Sequence, residues 1–131
     1  DSSRDAEVAR VTKLRDDLVD GVMSEIEDVI ETVPRDMRVA GIAHMCIGDC
    51  ESESVLYLLD EAMICASAAS ACASGAMEPS HVLSAMGVDK KYSMGALRMS
   101  LGHTTTESEI DRAINALVGV VRQLRRNKVK A

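Results

Sequence analysis

Apolar residues recur every three or four positions near both ends of the 131-residue chain, which is the spacing of one face of a helix. The second of these stripes follows the capping-box sequence Thr106-Glu107-Ser108-Glu109. The N-terminal stripe consists of Val8, Val11, Leu14, Leu18, Val22 and Ile26, and the C-terminal stripe of Ile110, Ala113, Ile114, Leu117, Val121 and Leu124. We therefore expect a long amphipathic helix at each end, the first over about residues 4–26.

Between these helices, short apolar segments bounded by Gly, Pro or Asp indicate strands over residues 29–33, 42–47 and 63–66. Residues 95–101 alternate, which predicts a strand with one buried and one solvent-exposed face. Its buried face would hold Leu97, Met99 and Leu101, and its exposed face Ala96, Arg98 and Ser100. Further helices are predicted over residues 51–62 and 81–86. This order favours an α+β fold, with a small antiparallel or mixed sheet of three to four strands backed by helices.

Composition adds that the core is built without large aromatic residues, since the chain has no Phe or Trp, two Tyr and eight Met. Its length predicts one domain. No apolar run is long enough to cross a bilayer, and the first residues lack the features of a signal peptide. The spacing of Cys46, Cys50, Cys65 and Cys72 matches no disulfide framework, so we expect a reducing, cytoplasmic compartment.

The net charge of −6 is divided unevenly, with −10 on residues 1–65 and +4 on residues 66–131. Five cations occupy the last ten positions: Arg122, Arg125, Arg126, Lys128 and Lys130. They form either a docking tail for an acidic partner or the C-terminus of a helix, where cations suit the dipole. Because the chain is acidic and has no basic patch studded with aromatic residues, we expect no nucleic-acid partner.

Two side chains are candidates for chemistry, Cys72 and Arg98. Cys72 lies in residues 67–76, where no side chain is larger than a thiol. Such a segment is either an accessible carrier of a nucleophile or a tightly packed Ala/Ser helix around a structural cysteine. Arg98 is either a surface residue or a bidentate ligand for a carboxylate. The absence of any Cys-x-x-Cys pair argues against a zinc site, and no Cys–His spacing diagnoses a pairing of Cys72 with His44, His81 or His103.

Three segments in succession resemble the C-terminal domain of NifS/IscS-type cysteine desulfurases. They are Ser70-Ala71-Cys72-Ala73-Ser74-Gly75, then Glu78-Pro79-Ser80-His81-Val82-Leu83, then Leu97-Arg98-Met99-Ser100-Leu101-Gly102. The resemblance extends from about residue 4 to residue 125. The chain departs from the family pattern at Gly102-His103-Thr104, where members often have Gly-Arg-Phe.

The resemblance implies a pyridoxal-phosphate enzyme of aminotransferase-like fold that moves the sulfur of L-cysteine onto a cysteine as a persulfide and releases alanine. By position, Cys72 would form the persulfide and Arg98 would hold the substrate carboxylate. The enzyme would be a homodimer that passes sulfur to an acceptor or scaffold protein for iron–sulfur cluster assembly.

The same resemblance implies that residues 1–131 correspond to the small domain of such an enzyme. Family members hold the cofactor on a lysine in a Ser-x-His-Lys-type motif of their large domain, and before Cys72 the only lysine is Lys13, outside any such motif. We therefore expect the isolated chain to be inactive, with no residue of its own assigned to the cofactor or to a metal. The alternative is a non-catalytic interaction or sulfur-carrier module of the same fold.

Overall fold

The fold is an antiparallel sheet covered on one face by two long helices. The computed structural model describes residues 2–32, 40–61, 92 and 95–130. Its elements are α1 (Ser2–Glu25), β1 (Val29–Glu31), β2 (Ile42–Ile47), α2 (Ser52–Glu61), β3 (Ala96–Ser100) and α3 (Glu107–Lys130). The α+β prediction is confirmed. The strand predicted over residues 63–66 and the helix predicted over residues 81–86 lie outside the described residues.

The three described strands are ordered β1-β2-β3, and both pairings are antiparallel. Val29 lies opposite Ile47 in the first pair, and His44 lies opposite Arg98 in the second. Two aspartates with positive φ, Asp28 at 58° and Asp49 at 62°, turn the chain just before β1 and just after β2. Asp tolerates this left-handed conformation better than most residues do.

The stripe predicted for α1 is buried over most of its length, and Leu14, Leu18 and Val22 contribute to the core. Val8 is the exception, because 45% of its surface is exposed. At 1.5 Å per residue the 24-residue helix is about 36 Å long, whereas a six-residue strand spans about 20 Å. We infer that the first turns of α1 extend beyond the end of the described strands, which leaves Val8 only partly covered.

Helix α3 begins with the predicted capping box. The Glu109 amide donates to Thr106 Oγ1 at 3.2 Å, and the Thr106 amide donates to Glu109 Oε1 at 3.1 Å. Both interactions satisfy amides that the first turn of a helix leaves unpaired. The start of α3 is thereby fixed nine residues after Arg98.

The basic end of α3 contacts the two turns formed by the left-handed aspartates. Arg125 donates to the carbonyl of Gly48 at 2.8 Å and to that of Asp28 at 3.4 Å. Arg122 donates to the carbonyl of Glu25 at 3.2 Å, and Lys128 lies 3.6 Å from the Asp49 carboxylate. These cations therefore attach the helix to the ends of β1 and β2, a structural role that neither sequence interpretation included.

Candidate functional site

Of the two candidate residues, the structure describes Arg98. Cys72 lies outside the described residues, so its role stays a prediction. Arg98 is at the middle of β3. Because side chains alternate along a strand, it lies on the opposite face from Leu97 and Met99.

The sheet thus has two faces of different character. One, here called the core face, packs against α1 and α3; its members are Val29, Ala43, Met45, Ile47, Leu97 and Met99, all buried. The other, here called the Arg98 face, carries Ile30, His44, Cys46, Ala96 and Arg98. The candidate chemistry of the described strands lies on this second face.

The prediction that this face of β3 is exposed to solvent was wrong for two of its three residues. Ala96 is only 2% exposed and forms a cluster with the fully buried Cys46, against which Ile30 and Tyr92 also pack. Arg98 is half-buried, and Ser100 alone is exposed. The side chain of Arg98 therefore lies on the same face as an apolar cluster and is not fully surrounded by water.

One nitrogen of Arg98 is left without a partner among the described residues. Its Nε is buried and makes no hydrogen bond there. A buried donor without an acceptor costs free energy, and guanidinium donates only, with a geometry that fits a carboxylate. The arrangement at Arg98 therefore suits an anionic group that would accept this hydrogen bond.

His44 is the cross-strand neighbour of Arg98. Burial lowers the pKa of its imidazole, and the positive charge of Arg98 lowers it further. A histidine with such a pKa is uncharged at neutral pH. The sequence offered His44 as one of three possible partners of a thiol, but it could not show the pairing with Arg98, because register between strands half the chain apart is set by tertiary structure.

The two described cysteines are free thiols in buried positions. Burial raises the pKa of Cys46 to about 11, so this thiol is protonated and unreactive at neutral pH. Cys50 follows Asp49 in the turn after β2 and is only 7% exposed. Its pKa is also raised, chiefly by burial, although the nearby Arg125 opposes the change. Cys46 packs against Ala96, and neither thiol is suited to nucleophilic attack.

The loop that follows β3 is held by α1. Arg10 donates through Nη1 to the carbonyl of Thr105 at 2.8 Å and through Nη2 to the carbonyl of His103 at 2.8 Å. The same guanidinium binds the Glu7 carboxylate with two hydrogen bonds, of 2.7 and 3.1 Å. The three-residue spacing of Glu7 and Arg10 in the sequence indicates an ion pair on one face of a helix, but it does not reveal the distant loop that Arg10 also binds.

Residues that could bind a metal do not converge in the described part of the chain, where no group of three or more His, Cys, Asp or Glu side chains comes together. A four-cysteine arrangement is not tested, because Cys65 and Cys72 lie outside that part. Among the described helices, none is both long and apolar enough to span a membrane.

Known proteins of similar sequence carry names that agree with the resemblance. The chain is 48% identical over 124 residues to an IscS-like cysteine desulfurase of Mycobacterium tuberculosis, an alignment that covers 94% of this chain and 32% of that protein. It is 40% identical over 119 residues to the cysteine desulfurase NifS of Azotobacter vinelandii, covering 91% of this chain and 30% of that protein. The chain thus spans about a third of the length of the curated relatives it matches.

Solved structures confirm the fold. A NifS-like protein superposes with a TM-score of 0.75 at 24% identity, over 91% of this chain and 29% of that one. A NifS-like protein from Rickettsia africae superposes with a TM-score of 0.67 over 86% of this chain and 28% of that one. The family model for aminotransferase class-V matches residues 4–113. The chain therefore belongs to the aminotransferase class-V family.

Proposed function

We propose that this chain supplies two groups to a cysteine desulfurase: the sulfur-accepting thiol of Cys72 and the arginine, Arg98, that binds the substrate carboxylate. The observation that carries the proposal is the environment of Arg98, a half-buried guanidinium whose Nε has no partner among the described residues. The names of the relatives, cysteine desulfurases in Mycobacterium and Azotobacter, supply the substrate, L-cysteine.

Arg98 would bind the α-carboxylate through parallel hydrogen bonds. Such a pair fixes both the position and the orientation of the amino acid, which a single point charge cannot do. Neutral His44 beside it adds no second cation that would compete for the carboxylate. Orientation matters because the sulfur of the bound amino acid must face the attacking thiolate.

Cys72 would attack that sulfur as a thiolate. A sulfur–sulfur bond forms, the bond between the substrate sulfur and its β-carbon breaks, and the electron pair left on carbon is finally protonated. The net change converts L-cysteine and the thiol into alanine and a cysteine persulfide, so no external oxidant is needed. Small neighbours on both sides of Cys72 would let acceptor and substrate approach closely.

The described residues do not fit pyridoxal phosphate, the cofactor that the family implies. A cofactor pocket would need a free lysine, whereas Lys13 lies 2.8 Å from the Asp17 carboxylate and Lys128 pairs with Asp49 at the surface. We therefore assign no step through the cofactor to this part of the chain. We propose that residues 1–131 form the small domain and that the cofactor is bound by a large domain outside them.

The remaining elements of the proposal come from the family. The complete enzyme would be a cytoplasmic homodimer that delivers persulfide sulfur to an acceptor protein for iron–sulfur cluster assembly. The 131 residues by themselves would be inactive, since they would hold a thiol and a carboxylate ligand but not the electron sink that pyridoxal phosphate supplies.

The test compares Cys72→Ala, Arg98→Met and the control Arg112→Met, which changes an exposed arginine of α3. They would be made in the longest protein that the gene encodes, loaded with cofactor. We expect Cys72→Ala to abolish persulfide and alanine release, and Arg98→Met to raise the KM for cysteine roughly 10- to 100-fold, because a charge-assisted hydrogen bond contributes about 1.5–3 kcal/mol. Arg112→Met should leave both unchanged.

Two results would contradict the proposal. Persulfide that forms at another cysteine in Cys72→Ala would remove the assigned nucleophile. A wild-type protein that accepts sulfur from a persulfide donor, yet never releases alanine from cysteine, would support the sulfur-carrier alternative instead.

A further inference from the structure

The clamp formed by Arg10 on α1 joins the first helix to the segment directly after Arg98. Its guanidinium makes hydrogen bonds to two carbonyl oxygens of the β3–α3 loop at 2.8 Å each and lies 3.4 Å from a third, that of Gly102. Three carbonyls pointing at one place create a negative potential. A planar cation with five donors satisfies them together.

The Glu7 carboxylate orients this cation from the other side. It accepts from Nε and Nη2 of Arg10, and this interaction raises the pKa of Arg10 and lowers that of Glu7. A carboxylate bound at two nitrogens leaves the guanidinium little rotational freedom. Arg10 is thus held in the one orientation that reaches the loop.

The loop is otherwise held by short-range bonds. The Thr105 amide donates to the Gly102 carbonyl at 3.0 Å, and the Gly102 amide donates to Thr105 Oγ1 at 2.9 Å. Just before them, the Leu101 amide donates to the Gly41 carbonyl at 2.6 Å. These bonds close the turn on itself and on the start of β2, and Arg10 ties its carbonyls to α1.

Arg98 is two residues from the end of β3. Among the described strands, β3 has one neighbour, β2, so its other edge receives no backbone hydrogen bonds from them. Besides its pairing with β2, the end of β3 is held through the loop that follows it. A shift at Gly102 would be passed along an extended backbone to Arg98 over only four residues.

We propose that Arg10 is a positioning residue for the substrate-carboxylate site: by holding the carbonyls of residues 102, 103 and 105, it fixes the end of the strand that carries Arg98. This inference rests on the proposed role of Arg98. Helix α1, which carries neither Cys72 nor Arg98, would thereby influence substrate binding.

The competing explanation is that the clamp only stabilises the fold. About 40% of each of the two side chains, Arg10 and Glu7, is exposed, and ion pairs at such sites contribute little to stability. A purely structural clamp would thus change little that can be measured. A positioning clamp changes the affinity for the substrate while the fold remains intact.

The experiment uses Arg10→Ala, Arg10→Lys and the matched control Lys13→Met in the longest protein that the gene encodes, loaded with cofactor. Lys13 is a suitable control because the carboxylate it binds, that of Asp17, lies on the same helix and not on the loop. We expect Arg10→Ala to raise the KM for cysteine about tenfold with kcat changed less than about twofold, since misplacing a binding group weakens binding steeply. Added guanidinium chloride at low millimolar concentration should recover part of the loss.

Arg10→Lys should be intermediate, because one ammonium cannot serve Glu7 and three carbonyls at once. Amide hydrogen exchange of Leu101, Gly102 and Thr105 should accelerate in Arg10→Ala and not in Lys13→Met. A KM for Arg10→Ala equal to that of the wild type, in a protein where Arg98→Met raises the KM, would overturn the positioning role. If Arg98→Met also left the KM unchanged, the proposed function itself would fail, and the exchange rates would still show whether the clamp orders the loop.

Discussion

The two faces of the sheet are separated by the thickness of one strand, yet they differ in the polarity and burial of their side chains. On the core face, Met45, Ile47 and Leu97 are at most 1% exposed, and every member is apolar. On the Arg98 face, the buried cluster around Cys46 adjoins a half-buried imidazole and a guanidinium whose buried Nε has no partner among the described residues. One face is built for stability, and the other accepts unfavourable burial of polar groups.

The contrast is sharpest between two consecutive residues of β3. Leu97 is fully buried on the core face, whereas Arg98, the next residue, is half-buried on the opposite face of the sheet. Functional sites commonly retain groups that do not favour the folded state, because those groups serve a ligand. The difference teaches that the stability of this fold and its chemistry can be perturbed separately, within a single strand.

Substituting Leu97→Ala should therefore have the largest effect on stability. Removing a fully buried leucine costs roughly 2–5 kcal/mol, because the lost burial is added to an unfilled cavity. Arg98→Met should change the free energy of unfolding by less than about 1 kcal/mol, since it removes a partly desolvated donor. Urea denaturation of both variants measures this. Equal losses in the two would mean that the faces do not differ as the burial indicates.

The sequence predicted the core face well because its signals are local. The stripes of α1 and α3 repeat with the helical period, the capping box needs only residues 106–109, and the alternation of β3 identified Leu97 and Met99 as core. It failed where position depends on distant segments. Val8, for example, follows the stripe but is 45% exposed.

The Arg98 face was harder to predict for the same reason. A resemblance to a family selected Arg98, but the alternation of β3 assigned its neighbour Ala96 to solvent, whereas Ala96 packs against Cys46 of β2. The pairing of His44 with Arg98 and the contact of Arg10 with the loop join residues 54 and more than 90 positions apart. No periodicity within one segment contains that information.

A substitution at Gly95, the residue directly before β3, should have an effect of intermediate size on stability. At Gly95 a side-chain carbon would overlap the carbonyl oxygen of Ile47, whose own amide donates to the Gly95 carbonyl. Gly95→Ala must therefore push β2 and β3 apart, and we expect a loss of about 1–3 kcal/mol that disturbs both faces together.

The matched control is Gly119→Ala, at an exposed position of α3 where nothing lies within 4 Å of the added carbon. It should stabilise the protein by about 0.5–1 kcal/mol, because alanine favours a helix interior. Thermal unfolding of both variants gives the comparison. A Gly95→Ala protein as stable as the wild type would show that the strands can separate freely there.

The smallest effect should be a pH dependence that belongs to the Arg98 face alone. Burial, and to a lesser degree Arg98, hold the pKa of His44 below its ordinary value of 6.5. Below that value the unfolded chain binds a proton that the folded chain resists, so His44 lowers stability as the pH falls through 6.5 and has no such effect well above it. In His44→Gln, the loss of stability between pH 7.5 and pH 5.5 should be smaller than in the wild type.

Arg98→Met should raise the pKa of His44 only part of the way towards 6.5, because burial is the larger cause. Histidine proton shifts followed by NMR would measure this pKa. A full return to 6.5 in Arg98→Met would mean that charge and not burial governs this face, and an unchanged pKa would mean that the two side chains do not sense each other across the strands.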